Sequence, residues 1–110
     1  MQFDTLLKGG HLIDPGNHLD GPRDLAITAG KVAAVDAQIP EAQAAQVLDV
    51  AGLYVTPGLV DIHTHMYATT GSRGAWAGDL SIMPDGFSFR SGVTAMVDTG
   101  SAGWRTFPQP

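Results

Sequence analysis

The segment Gly58–Leu59–Val60–Asp61–Ile62–His63–Thr64–His65 carries the sharpest chemistry in the sequence. In an extended strand successive side chains point to opposite faces, so Asp61, His63 and His65 share one face and Val60, Ile62 and Thr64 the other. At about 3.3 Å of rise per residue the two histidine Cα atoms stand about 6.6 Å apart, so both rings can converge on one ion. Neutral imidazole is the commonest side-chain ligand of Zn²⁺, and a carboxylate can orient the rings from behind. Asp61 has the type and the face for that second task, although its side chain sits deep for reaching either ring. A bare His-x-His pair favours chance over a site by about three to one. The rest of this strand is apolar, however, and ionisable groups on one buried face are costly unless paired or metal-bound. That context reverses the odds in favour of a ligand pair. His11 and His18 stand among turn residues and are expected to be solvated, with no function assigned.

The elements that must position this pair follow from the punctuation of the chain. Phe3–Lys8 reads as a short strand ending at a Gly9–Gly10 turn, and His11–Ile13 as extended chain running into the turn residues Asp14–Pro15–Gly16–Asn17. Asp24–Thr28 and Lys31–Val35 flank Ala29–Gly30 as a two-residue hairpin. Residues 38–46 (QIPEAQAAQ) are polar and Ala-rich and contain Pro40, which predicts a loop. Val47–Val50 and Leu53–Val55 are two further short strands. Past Thr56–Pro57–Gly58 the character changes: the histidine strand, a glycine-rich stretch from Met66 to Pro84, a helical turn over Asp85–Arg90 and a β-rich run Val93–Asp98. In that turn Asp85 is the expected N-cap and Phe87 the core-facing residue. A strand, a long excursion and a second strand imply parallel β/α units, whose sheet needs cover on both faces. The chain therefore reads as the opening of something larger, an N-terminal fragment or a truncated product.

Composition removes several classes. At 110 residues, with 44% hydrophobic and 15% charged residues, the chain is globular in composition. Six basic against eleven acidic residues give a formal charge of −5, which argues against a nucleic-acid partner. The absence of cysteine excludes disulfide scaffolds, zinc ribbons, Fe–S sites and thiol catalysis. The start MQFDTLLKGG lacks a basic, apolar leader, and no apolar run approaches the roughly 20 residues that span a bilayer. A cytoplasmic chain with no membrane partner is the expectation.

The run Tyr54–Val55–Thr56–Pro57–Gly58–Leu59–Val60–Asp61–Ile62–His63–Thr64–His65 resembles the first-barrel-strand signature of the amidohydrolase superfamily. Residues 6–15 and 24–35 are similar to the N-terminal strands of its dihydroorotase-like members. Tyr67–Gly74, Gly78–Asp79 and Pro84–Thr94 resemble a narrower group, the metal-dependent amidohydrolase/deacetylases. The resemblance implies an α/β fold: a (β/α)₈ TIM-like barrel with a small β-sandwich domain built from both chain ends. Residues 1–57 would be the N-terminal strands of the sandwich and 58–110 the incomplete start of the hydrolase barrel, which takes about 250 residues when whole.

The resemblance further implies Zn²⁺ or another divalent metal, one or two ions per complete site, with His63 and His65 as ligands. A bridging carboxylated lysine, two more histidines and an aspartate come from later strands in such relatives. Lys8 and Lys31, the only lysines, match none of these positions. The implied activity is hydrolysis of amide, cyclic amide or ester bonds by hydroxide activated on the metal. The alternatives are dihydroorotase-type ring opening and a non-catalytic remnant. The general acid/base is expected beyond Pro110, so this chain alone should be inactive. Asp98, at the C-terminal end of its strand, has the position of a barrel catalytic residue and the type of a turn residue, the latter favoured about two to one. Tyr67 and Arg73 are candidates for contacting substrate, Arg73 through a fork suited to a carboxylate, with a solvated loop arginine equally compatible. The implied partner is a small-molecule amide or ester, and the resemblance leaves room for a homo-oligomeric parent protein.

Overall fold

The computed structural model describes residues 1–66, 82 and 84–99. It divides into two compact units, Met1–Pro57 and Gly58–Pro110.

In the first unit, β1 (Phe3–Asp14), β2 (Leu19–Thr28), β3 (Lys31–Asp36), β4 (Ala44–Asp49) and β5 (Tyr54–Val55) form one mixed sheet. The strand order is β3-β2-β1-β4, with β2 antiparallel to β1 and β3 antiparallel to β2. Strands β4 and β5 both run parallel to β1, beside Phe3–Lys8 and His11–Leu12 respectively. The β2–β3 hairpin turns at Ala29 (φ 51°) and Gly30 (φ 72°), the left-handed pair that a tight two-residue loop demands. A 3₁₀ turn at Pro15–Asn17 joins β1 to β2, where turn chemistry was expected.

Gly9–Gly10 differs from expectation. It is a bulge inside a twelve-residue strand, not a turn. Gly9 takes φ 77°, and its N–H donates to Asp24 Oδ1 at 2.9 Å, a partner across the hairpin that overrides the local turn signal. Gly10 sits where an added Cβ would lie 2.7 Å from Val55 Cγ2 and 3.0 Å from Val50 Cγ2, so β4 and β5 can follow β1 across its bulge. The expected loop at residues 38–46 is shorter than its polarity suggests: a 3₁₀ turn at Glu41–Gln43 leads into β4 already at Ala44. The core of this unit is Phe3, Leu6, Ala26, Ile39 and Ala44, with Leu6 and Ala26 fully buried.

A buried polar knot closes this core. Asp24, 3% exposed, accepts from Lys8 Nζ at 2.6 Å and from the N–H groups of Gly9 and Ile39, while Lys8 also donates to the Ile39 carbonyl. Burial pushes the Asp24 carboxyl up, but the Lys8 ammonium and the two amides outweigh it and hold its pKa below the ordinary carboxylate value. A mainly apolar groove of about 640 Å³ lies on the same unit, lined by Leu12, Leu19, Leu25, Val32, Val35 and Val55 among others.

In the second unit, β6 (Leu59–Thr64) pairs in parallel with β7 (Val93–Asp98), as the strand–excursion–strand pattern requires. A short helix α1 (Pro84–Phe87) and a 3₁₀ turn (Phe89–Ser91) precede β7 and end at Gly92, whose φ of 75° closes the turn. Two expectations fail here. Asp85 lies inside the first turn of α1 and is not its N-cap, and Phe87 is 58% exposed, not core-facing. Val60 and Ile62 are likewise exposed, as befits a parallel pair whose faces nothing among the described residues fully covers. No helix among the described residues is long and apolar enough to cross a membrane.

Candidate metal centre

His63 lies on β6 and His65 one residue past its C-terminal end. Alternation along the strand brings the two imidazoles together, with ring centroids 5.8 Å apart and planes tilted by 58°. His63 is exposed and His65 half-buried. Asp61 is half-buried on the same strand, and its Oδ1 accepts the backbone N–H of His63 at 3.0 Å. It therefore steadies the backbone that carries His63, one step removed from the ring contact expected of it.

The strand end is tied down from several sides. Thr64, 7% exposed, donates its hydroxyl to the Val97 carbonyl at 3.0 Å. The Thr64 carbonyl accepts from Thr99, from its N–H at 3.0 Å and its hydroxyl at 3.3 Å. Asp98 Oδ2 accepts the Met66 N–H at 2.9 Å, and the His65 carbonyl accepts the Ile82 N–H at 2.7 Å. Thr64, Thr99 and Ile82 carried no functional signal in the sequence; their task rests on partners far along the chain. Tyr67 and Arg73 lie outside the described residues. His18 sits in left-handed backbone after the Pro15–Asn17 turn. His11 keeps 44% of its side chain exposed, as expected of a solvated histidine, and in addition meets Asp20 Oδ1 through Nε2 at 2.6 Å and stacks edge-on to Tyr54, because the pairing of β1 with β2 and β5 brings both partners alongside.

Imidazole nitrogens are preferred donors for Zn²⁺, so the chemistry of the pair suits a divalent ion. Two imidazoles supply half of a four-coordinate shell, and the described residues contain no group of three His, Cys, Asp or Glu that could hold a metal.

No protein-family profile matches the chain. The dihydroorotase of Elusimicrobium minutum (strain Pei191) is 40% identical to it over 85 residues, which cover 76% of this chain and 19% of that protein. The chain thus spans about a fifth of the length of the curated relatives it matches. Among solved structures, a dihydroorotase superposes with a TM-score of 0.70 at 29% identity, over 96% of this chain and 26% of that one. A D-aminoacylase studied for its binuclear metal centre superposes with a TM-score of 0.51 at 38% identity, over 57% of this chain and 13% of that one.

Proposed function

Because the chain belongs to the amidohydrolase superfamily and matches the N-terminal portion of its barrel-fold members, we propose that it is part of a metal-dependent hydrolase of amide, cyclic amide or ester bonds. His63 and His65 are its ligands for a divalent ion, Zn²⁺ or a relative of it, with one or two ions per complete site. What supports this reading is the pair itself: two imidazoles with centroids 5.8 Å apart at the C-terminal end of a parallel strand. That is the end at which barrel enzymes gather their reacting groups. Residues 58–110 are then the start of the barrel, and residues 1–57 contribute strands to the small sandwich domain. The apolar groove beside Val32 and Val35 is the surface a second sandwich layer would cover.

His63 and His65 would hold a divalent ion, which when bound would supply Lewis acidity toward a carbonyl and lower the pKa of water toward about 7. The residues of this chain hold and orient. His63 and His65 bind through neutral rings, and Asp61 keeps the backbone of His63 in place through its amide. Arg73 is assigned to a substrate carboxylate, which matches its planar fork, and Tyr67 to the substrate beside it. Dihydroorotase-type opening of a cyclic amide is a second reading, favoured by the dihydroorotase relatives.

The test is hydrolysis of N-acyl amino acids and of a cyclic ureide by the intact protein, before and after chelation. Activity that disappears on chelation and returns with Zn²⁺ supports the proposal, and the substrate turned over separates the two readings. Activity untouched by complete metal removal refutes both.

A further inference from the structure

His65 and Met66, the two described residues that follow the histidine strand, belong to no helix or strand. His65 follows the last residue of β6, so the ladder with β7 does not hold it. Two hydrogen bonds from distant segments do. Asp98, the last residue of β7, takes the N–H of Met66 at 2.9 Å, and the N–H of Ile82 closes on the carbonyl of His65 at 2.7 Å. Asp98 is half-buried and lies opposite Thr64 in the register, so its carboxylate reaches past the strand end to the residue after the second histidine. Thr99 adds its own bonds to the Thr64 carbonyl on the other side of His65.

We infer that Asp98 is a positioning residue for the metal-binding pair: by accepting the Met66 N–H it fixes the peptide after His65 and so holds that ring beside His63. This rests on the reading of His63 and His65 as metal ligands. The physical argument is one of preorganisation. A ligand on a free strand end must be ordered when the ion binds, at a cost in backbone entropy for each residue fixed. A hydrogen bond donated beforehand by the amide to the side-chain oxygen removes that cost from binding. The role needs an acceptor oxygen at one place; it does not need a negative charge at the ion. Asparagine has that oxygen at the same reach, whereas glutamate has the charge but sets its oxygens one methylene too far.

The experiment measures Zn²⁺ affinity of the intact protein by competition with a chromophoric chelator, and the d–d absorption of the Co²⁺ form, for Asp98→Ala, Asp98→Asn, Asp98→Glu, His63→Ala and His65→Ala. The expected result is an affinity about 10–100-fold lower for Asp98→Ala, as for loss of other groups that orient ligands. Asp98→Asn should stay near the parent affinity with an unchanged Co²⁺ spectrum, and Asp98→Glu should fall with the alanine variant. An Asp98→Ala affinity equal to the parent, while the histidine variants lose metal, overturns this inference alone. Glutamate binding as tightly as or more tightly than asparagine overturns it too, because a direct charge or ligand role would then explain the data. Histidine variants that keep full affinity overturn the metal reading itself. If Asp98→Ala does not fold, the order of the asparagine and glutamate variants still decides.

Discussion

The imidazole rings of His63 and His65 stand with centroids 5.8 Å apart and planes tilted by 58°, while the carboxylate of Asp61 holds the backbone N–H of His63 at 3.0 Å. The two rings are therefore expected to act together and Asp61 at one remove. In the intact protein, His63→Ala or His65→Ala should lower bound metal and hydrolysis in parallel, since each removes a proposed ligand. Asp61→Asn should act more mildly, because its amide oxygen can still accept the His63 N–H. Elemental analysis checks this: unchanged zinc in both histidine variants contradicts the assignment.

Arg73 offers a separable effect. Arg73→Ala should raise KM for a carboxylate-bearing substrate more than it lowers kcat, as expected when ground-state binding is what is lost. Steady-state kinetics on substrates with and without the carboxylate is the measurement. A collapse of kcat at constant KM would show that Arg73 does something else.

Asp24 should dominate the stability of the first unit. Asp24→Asn leaves Lys8 without its counter-charge, and the expected cost is about 3 kcal/mol, the low end for breaking a buried pair, because the Lys8 side chain keeps 30% exposure. The pH dependence has a definite sign. The folded carboxyl has a pKa below its ordinary value, so its contribution is complete above that ordinary value and is lost as pH falls through the depressed one. Denaturant midpoints of the parent should fall across that acid window, and those of Asp24→Asn should change less there.

Gly58 marks a close approach in the second unit. A Cβ there would overlap the Thr94 side chain, lying 2.7 Å from Thr94 Cβ and closer still to its Oγ1 and Cγ2. Gly58→Ala should push β6 from β7 at a cost of about 1–3 kcal/mol. Adding Thr94→Ala removes the two nearer atoms and leaves Cβ, so partial recovery of Tm is expected. Full independence of the two changes in a thermal melt would contradict the contact.

Local rules were enough for the sequence to determine the histidine strand, the parallel partner demanded by the long excursion, the Ala29–Gly30 hairpin and the candidate ligands themselves. Each depends on alternation, on turn stereochemistry or on residue type, and neighbours in sequence contain all three. What the tertiary structure alone decided depends on partners remote in sequence. Gly9–Gly10 is a bulge because Asp24 captures the Gly9 amide from the adjacent strand, although the dipeptide alone reads as a turn. Ile39 belongs to the core because Asp24 and Lys8 bind both its backbone groups inside a polar-looking stretch. His11 has partners because two other strands align beside it. At the histidine pair the sequence determined which residues could ligate, but the hold on His65 comes from Asp98 and Ile82, reached only once β6 and β7 lie side by side. Hydrogen bonds between distant segments leave no periodic trace, since they arise from strand register, which is settled only when the sheet forms.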